Sequence, residues 1–472
     1  MWDIRKPRAK SADEQEKRYA IPEQSFEPVI RAGDGGKGPT REAERSETDN
    51  RLNIKVEIHR ELLERVNLAL IERFSRDELA RELGPVIDEI IAERSLALNR
   101  YEKADLVDEI LDELVGLGPL EPLLKDETIS DILVNGSETV FVERRGVLER
   151  APTRFKDEKH LLRIIQKIVS AVGRRVDEAS PFVDARLADG SRVNAIIAPL
   201  AIDGSLLSIR KFSKTPISMD RMVEFESLTE EMATLLQAVV QGRLNIIISG
   251  GTGSGKTTML NALSSYINGH ERIVTIEDSA ELQLQQEHVA RLETRPANIE
   301  GRGEVNQRDL VRNALRMRPD RIVLGECRSG EAFDMLQAMN TGHDGSMTTV
   351  HANTARDALA RIEQMVGMAG LEMSMRTIRA QIVSAINVVI QVGRLPDGRR
   401  KTLSISEVTG MEGEVISMQE IFRFRQSGRD SDGRVLGQFE ATGVRPHFAG
   451  ALKSMGIYLD PELFKPPMGY GR

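Results

Sequence analysis

Cysteine is nearly absent: Cys327 stands alone in 472 residues. No disulfide can close within the chain, and neither a two-thiolate nor a four-thiolate zinc site can be assembled. That usage fits a reducing compartment. Aromatic residues make up 4% of the chain, which disfavours a base-stacking platform. A basic excess is also missing, since 65 Lys and Arg against 73 Asp and Glu leave a net charge of −8. Proteins that live on bulk nucleic acid usually carry the opposite balance, so no nucleic-acid partner is expected. No apolar run approaches the roughly 18–20 residues of a membrane span. The first residues, Met1 to Pro7, lack the apolar stretch of a signal peptide. The expectation is a cytoplasmic chain that meets a membrane only through partners.

What is present divides into segments. Residues 1–50 hold Gly33, Gly35, Gly36, Gly38 and Pro39 among many charges. Such a stretch cannot offset its own ordering entropy, which predicts a disordered tail. Residues 51–118 read as helical, with stripes at Leu62, Val66, Leu70, Phe74, then Leu83, Ile87, Ile91, then Leu106, Ile110, Leu111, Leu114. Gly116, Gly118 and Pro119 stop the last helix. Residues 119–212 alternate short apolar runs with a helical stretch at 161–172, an α+β domain. Residues 213–226, with Pro216, read as a linker. From 227 to 472 strands and helices alternate, and the strand runs are apolar on both faces. That pattern predicts a mostly parallel sheet with helical crossovers. Ser227 with Glu230 predicts a capping box for the first helix. Val388–Val392 and Thr402–Ile405 predict a closing hairpin.

The strongest local signal follows the strand at 244–248. Gly250, Gly251, Thr252, Gly253, Ser254, Gly255, Lys256, Thr257 and Thr258 satisfy G-x-x-x-x-G-K-[ST] between a buried strand and a helix. Phosphate oxygens need several inward N–H donors, and glycines permit the backbone angles and close approach this demands. The helix beginning near Lys256 adds the positive end of its dipole. Lys256 would place a point charge on the β/γ-phosphates of ATP, and the Thr257 hydroxyl would ligate Mg²⁺. Two further strands end in acids: Glu277 and Asp278, with Glu281 three residues on, and Glu326. Ligands of parallel sheets bind at these carboxyl ends, so Glu326 would support the Mg²⁺. A surface Glu after a core strand is the plainer alternative for Glu326. Eight arginines, among them Arg295, Arg316 and Arg321, lie between 291 and 321. They are either a solvated face or groups aimed at phosphate, where a planar fork suits an anion.

Four blocks then occur in order: the phosphate loop, Thr275–Leu282, Ile322–Arg328 and Gly342–Asn353. They resemble the Walker A, Asp box, Walker B and His box of the secretion ATPase superfamily. The upstream text at 116–124 and 129–136 resembles its CpaF branch, which serves tight-adherence (Tad) pili. The resemblance implies a RecA-like P-loop motor domain behind an α+β domain, a homohexamer, ATP with Mg²⁺ and no zinc. It further implies a cytoplasmic enzyme peripheral to the inner membrane, acting with pilus platform proteins. Carried over, an Asp-box carboxylate activates water, Glu281 before Glu277. His343 and His351 form the His box, although His351 read alone is a core histidine. Arg210 matches an arginine that reaches the nucleotide from the N-terminal domain, with Arg295 and Arg316 next. The alternatives are a type IV secretion export ATPase, a RecA-like DNA translocase, or a regulator holding ATP without turnover.

Overall fold

A computed structural model describes residues 76–96, 98–144, 146–212, 216–297 and 302–466, together with Ile54, Glu57, Ile58, Glu61 and Leu62. The expected tail at 1–50 and the stripe positions Val66, Leu70 and Phe74 lie outside the described residues. The chain forms two units, Met1–Asn67 with Val86–Leu96, and Leu68–Pro85 with Ala97–Arg472. In the described part of the first, Ile58, Leu62, Ile87, Ile90 and Ile91 are buried. Arg94 there pairs with Glu57 at 2.6 Å and Glu61 at 2.9 Å.

The second unit carries the site. Helices α1 (Arg76–Glu93, shared with the first unit) and α2 (Arg100–Leu114) come first. Asn99 caps α2 in a reciprocal box with Glu102, satisfying two otherwise orphan N–H groups. A left-handed Gly118 (φ +58°) turns the chain into α3 (Glu121–Lys125). An antiparallel six-stranded sheet follows, in spatial order β3 (Val147–Arg150), β2 (Thr139–Arg144), β1 (Ile129–Asn135), β6 (Leu206–Arg210), β5 (Arg192–Ile196), β4 (Phe182–Arg186). Helix α4 (Glu158–Ala171) packs Leu161, Ile164, Ile165 and Ile168 on Ile132, Val142, Val193 and Leu207. Within 213–226, Met219–Glu224 forms a short helix, α5, capped by Ser218. Its Met219 and Met222 join the core that follows, so this stretch is anchored.

The next helix, α6 (Glu230–Gln241), is capped by the Thr229 hydroxyl accepting from Met232 N. The Ser227–Glu230 box does not form. Thr229 is the hydroxyl in reach of the first free amides, and the Ser227 carbonyl instead accepts from Thr402 N.

A nine-stranded sheet organises the rest. Its parallel part runs β12 (Val388–Arg394), β7 (Ile246–Gly250), β11 (Met347–Val350), β10 (Arg321–Cys327), β8 (Ile273–Glu277), β9 (Val289–Glu293). Strand alternation feeds two cores. Ile246 and Ile248 face a layer holding α6, α7 (Lys256–Ser264) and α12 (Phe448–Ser454). Ile247 faces α9 (Glu331–Asn340), α10 (Ala355–Gly367) and α11 (Met375–Ala385), and α8 (Gln307–Ala314) joins that layer. One strand, β11, separates the strand before the phosphate loop from the strand ending in Glu326, giving a RecA-like arrangement. The expected hairpin forms, but it does not close the sheet, because two further antiparallel strands continue it as a meander. β13 (Arg400–Glu412) pairs with β12, then β14 (Val415–Arg429) and β15 (Val435–Ala441) follow.

Two buried polar groups fasten the strand ends. The Asn245 side chain accepts from Gly345 N and Ser346 N at 2.9 and 3.0 Å and donates to Ala385 O at 2.7 Å. Arg321, 1% exposed, forks onto Glu271 at 2.7 and 2.9 Å and donates to Val240 O at 2.9 Å.

Candidate nucleotide site

The phosphate loop joins the buried end of β7 to α7. Gly253 (φ +68°) and Gly255 (φ +96°) occupy left-handed backbone, which side chains other than glycine adopt at a cost. Gly250 is needed for space: a Cβ there would stand 2.4 Å from Ser254 Oγ and 2.5 Å from Val392 O. Ser254 Oγ and Lys256 Nζ both donate to Gly251 O, at 2.8 and 3.0 Å. Burial lowers the affinity of the Lys256 amine for its proton, while Glu326 raises it and Arg328 adds a smaller lowering.

Acids gather at the neighbouring strand ends. Glu277 closes β8 and is 4% exposed. Its Oε2 accepts from Glu281 N at 2.7 Å and Leu282 N at 3.0 Å, while its Oε1 is buried without a partner. Burial pushes the Glu277 carboxyl up to about 7, against the pull of those two amides. Glu326 receives Arg328 at 2.6 Å, and Arg328 also reaches Asp278 at 3.0 Å. Thr349 Oγ1 donates to Gly325 O at 2.7 Å and ties β11 to the Glu326 strand.

Lys256, Thr257, Glu277, Glu281, Glu326, Arg210 and His351 all line one cavity. His351 is exposed on its wall rather than buried in the core, because it follows β11 at the sheet edge that carries the loop. His343 precedes β11, which puts it at the opposite edge; its Nδ1 is buried without a partner. Arg295 donates to Gly303 O at 2.7 Å, and both it and Arg316 are exposed outside the cavity lining. Arg210 pairs with Asp131 at 3.2 Å on the N-terminal sheet.

Two arginines of the N-terminal sheet, not singled out in the sequence, make the contacts to the Asp box. Arg192 pairs with Glu281 at 2.9 Å. Arg186 pairs with Glu293 at 3.0 Å and donates to Ser279 Oγ. Their signal was a basic residue on each side of the β4–β5 turn, Arg186 opposite Arg192.

The residues fit a nucleotide with a hard cation. The loop presents a helix N-terminus, a Cβ on Gly251 would meet nothing within 4 Å, and one buried carboxylate oxygen lacks a partner. Among the described residues no three His, Cys, Asp or Glu side chains are placed to hold a metal alone. A hydroxyl, a carboxylate and substrate phosphates are the Mg²⁺ donors such sites use.

Fold and loop together define a P-loop ATPase. The family model for type II/IV secretion system proteins matches residues 113–428, and the chain belongs to that family. A Mycobacterium tuberculosis protein named "Putative conjugal transfer protein" is 40% identical over 64% of this chain and 87% of its own length. Conjugal transfer protein TrbB of Rhizobium radiobacter is 33% identical over 65% of this chain and 91% of its own. The type IV secretion system protein VirB11 of Bartonella henselae is 32% identical over 62% and 92%.

Proposed function

We propose that the protein is a homohexameric ATP-hydrolysing motor for Tad-type pilus assembly, acting beside inner-membrane platform proteins. The observation that carries a motor reading is the Arg192–Glu281 contact. A side chain of the N-terminal sheet grips the Asp box beside the phosphate loop, so events at the nucleotide bear on the position of that sheet. The Tad assignment rests on the resemblance at 116–124 and 129–136. No helix among the described residues is long and apolar enough to cross a membrane, in keeping with work done through partners. Type IV secretion export is the second reading, favoured by the relatives named for conjugal transfer.

In the proposed chemistry Lys256 and the loop amides bind the phosphates, and the Thr257 hydroxyl and Glu326 hold Mg²⁺. The bound ion would neutralise charge on the β- and γ-oxygens. Glu281 and Glu277 compete for the role of base. Glu281 is held by Arg192, whereas Glu277 keeps one oxygen free and takes a proton near neutrality, where a general base works best. Arg210 stands on the cavity wall, within reach of nucleotide. Arg295 and Arg316 face away from their own cavity and suit contacts to a neighbouring copy.

Lys256→Ala should abolish phosphate release while the thermal melt stays within a few degrees of wild type. Turnover near the wild-type rate would remove the loop from the mechanism. Co-purification separates the two biological readings: pilus platform proteins support the first, and an export channel the second.

A further inference from the structure

One hairpin beside the nucleotide site has no part in the chemistry above, yet it is built unusually. β12 and β13 turn through residues 395–399, and Arg394 and Arg400 stand directly opposite each other across the ladder. Like charges at such a position repel and destabilise the pair. The arrangement is sustained when each guanidinium has its own acceptor, and here each does. Arg400 Nε donates to Gly253 O, in the phosphate loop, at 2.9 Å. Arg394 Nη2 donates to Gly146 O, in the turn between β2 and β3 of the N-terminal sheet. Arg394 Nη1 also lies 3.9 Å from the Glu143 carboxylate. Both seats are close-fitting. Gly146 has φ +84°, and a Cβ on it would stand 3.3 Å from Arg394 Nη2. A Cβ on Gly253 would stand 3.7 Å from Arg394 Nη1, and one on Gly255 3.5 Å from Arg400 Cδ.

We propose that Arg394 and Arg400 are positioning residues that fasten the phosphate loop and the N-terminal sheet to one hairpin, so that a shift of the loop on nucleotide binding is passed to the β2–β3 turn. The proposal rests on the loop binding ATP. Both arginines line the cavity that holds Lys256 and Thr257; in the proposed tie Arg400 acts through the Gly253 carbonyl and Arg394 through the Gly146 carbonyl. The β12–β13 pairing between them makes the two contacts interdependent.

The test uses the full chain, with ATP titrations of turnover and amide hydrogen exchange over residues 146–150 with and without a non-hydrolysable ATP analogue. In the wild type the analogue changes exchange at 146–150. Arg400→Ala raises KM for ATP about tenfold, the scale of a lost charge-assisted hydrogen bond, and Arg400→Lys recovers most of it. Arg394→Ala erases the analogue's effect on exchange at 146–150 and raises KM by a smaller factor. In the double variant KM matches that of Arg400→Ala alone, because coupled contacts do not multiply. The proposal is overturned if the two factors multiply, if 146–150 still responds to the analogue in Arg394→Ala, or if the wild type shows no response there. Should either alanine variant fail to fold, the glutamine variants carry the same comparison. A wild type without ATP turnover sinks the motor reading and the tie together. Turnover with arginine variants like wild type sinks only the tie.

Discussion

Glu277 is a carboxyl group placed where ionisation is costly. Its proton affinity rises from an ordinary value of 4.5 to about 7, so the folded chain holds this proton more tightly than the unfolded chain does. Stability therefore falls as pH rises from about 4.5 to about 7 and is level above, the ionised carboxylate costing about 3 kcal/mol there. Glu277→Gln removes that titration. Denaturant melts should show the variant gaining on wild type at pH 8 and not at pH 5; parallel pH profiles would refute the buried acid. Activity separates the two candidate bases, since loss of a general base costs about 10²–10⁴ in rate. The larger fall in kcat, in Glu277→Gln or in Glu281→Gln, names the base. That Lys256, Thr257 and Glu326 would meet at one set of strand ends was legible, because the motif fixes local geometry, and the three line one cavity. Arg192 was not, because its partner Glu281 lies 89 residues away and no spacing rule reports on such a pair.

Strands and helices of the parallel core were legible for a related reason: burial on both faces writes a continuous apolar run, as at Ile246, Ile247 and Ile248. β9 (Val289–Glu293) was not, since it is a short strand at the sheet edge in which Arg291 and Glu293 interrupt the apolar run. Of the long strands β13 and β14 only Thr402–Ile405 was legible, because charged residues interrupt the apolar ones along the rest. The polar fasteners were hidden as well. Asn245 sits between two apolar stretches, and only the fold shows it satisfying amides of Gly345 and Ser346 along with the Ala385 carbonyl. Asn245→Ala should lower stability by roughly 2–5 kcal/mol, because buried backbone groups are left unpaired. Arg321→Met should cost about 3–5 kcal/mol, because Glu271 is left with only the more distant Arg243, at 3.8 Å. Urea midpoints measure both, and a change under 1 kcal/mol in either would show that water satisfies the groups left behind.

Net charge separates the motor reading from the DNA translocase. At −8 the chain offers no general attraction to a polyanion. Duplex DNA at low salt should leave ATP turnover unchanged within about twofold. Stimulation that falls steeply with salt would reverse that assignment. The way the N-terminal sheet meets the nucleotide cavity was not legible from composition and period, because ion pairs between distant segments leave no local pattern. One carboxylate joins these levels. Glu277 spends one oxygen on the amides of residues 281 and 282 and leaves the other unclaimed. A proton or cation arriving at the unclaimed oxygen draws electron density from its twin and slackens those two bonds. The turn they hold carries Glu281, and through it the grip of Arg192, so a change of charge on a single atom becomes slack or tension in the joint between two sheets.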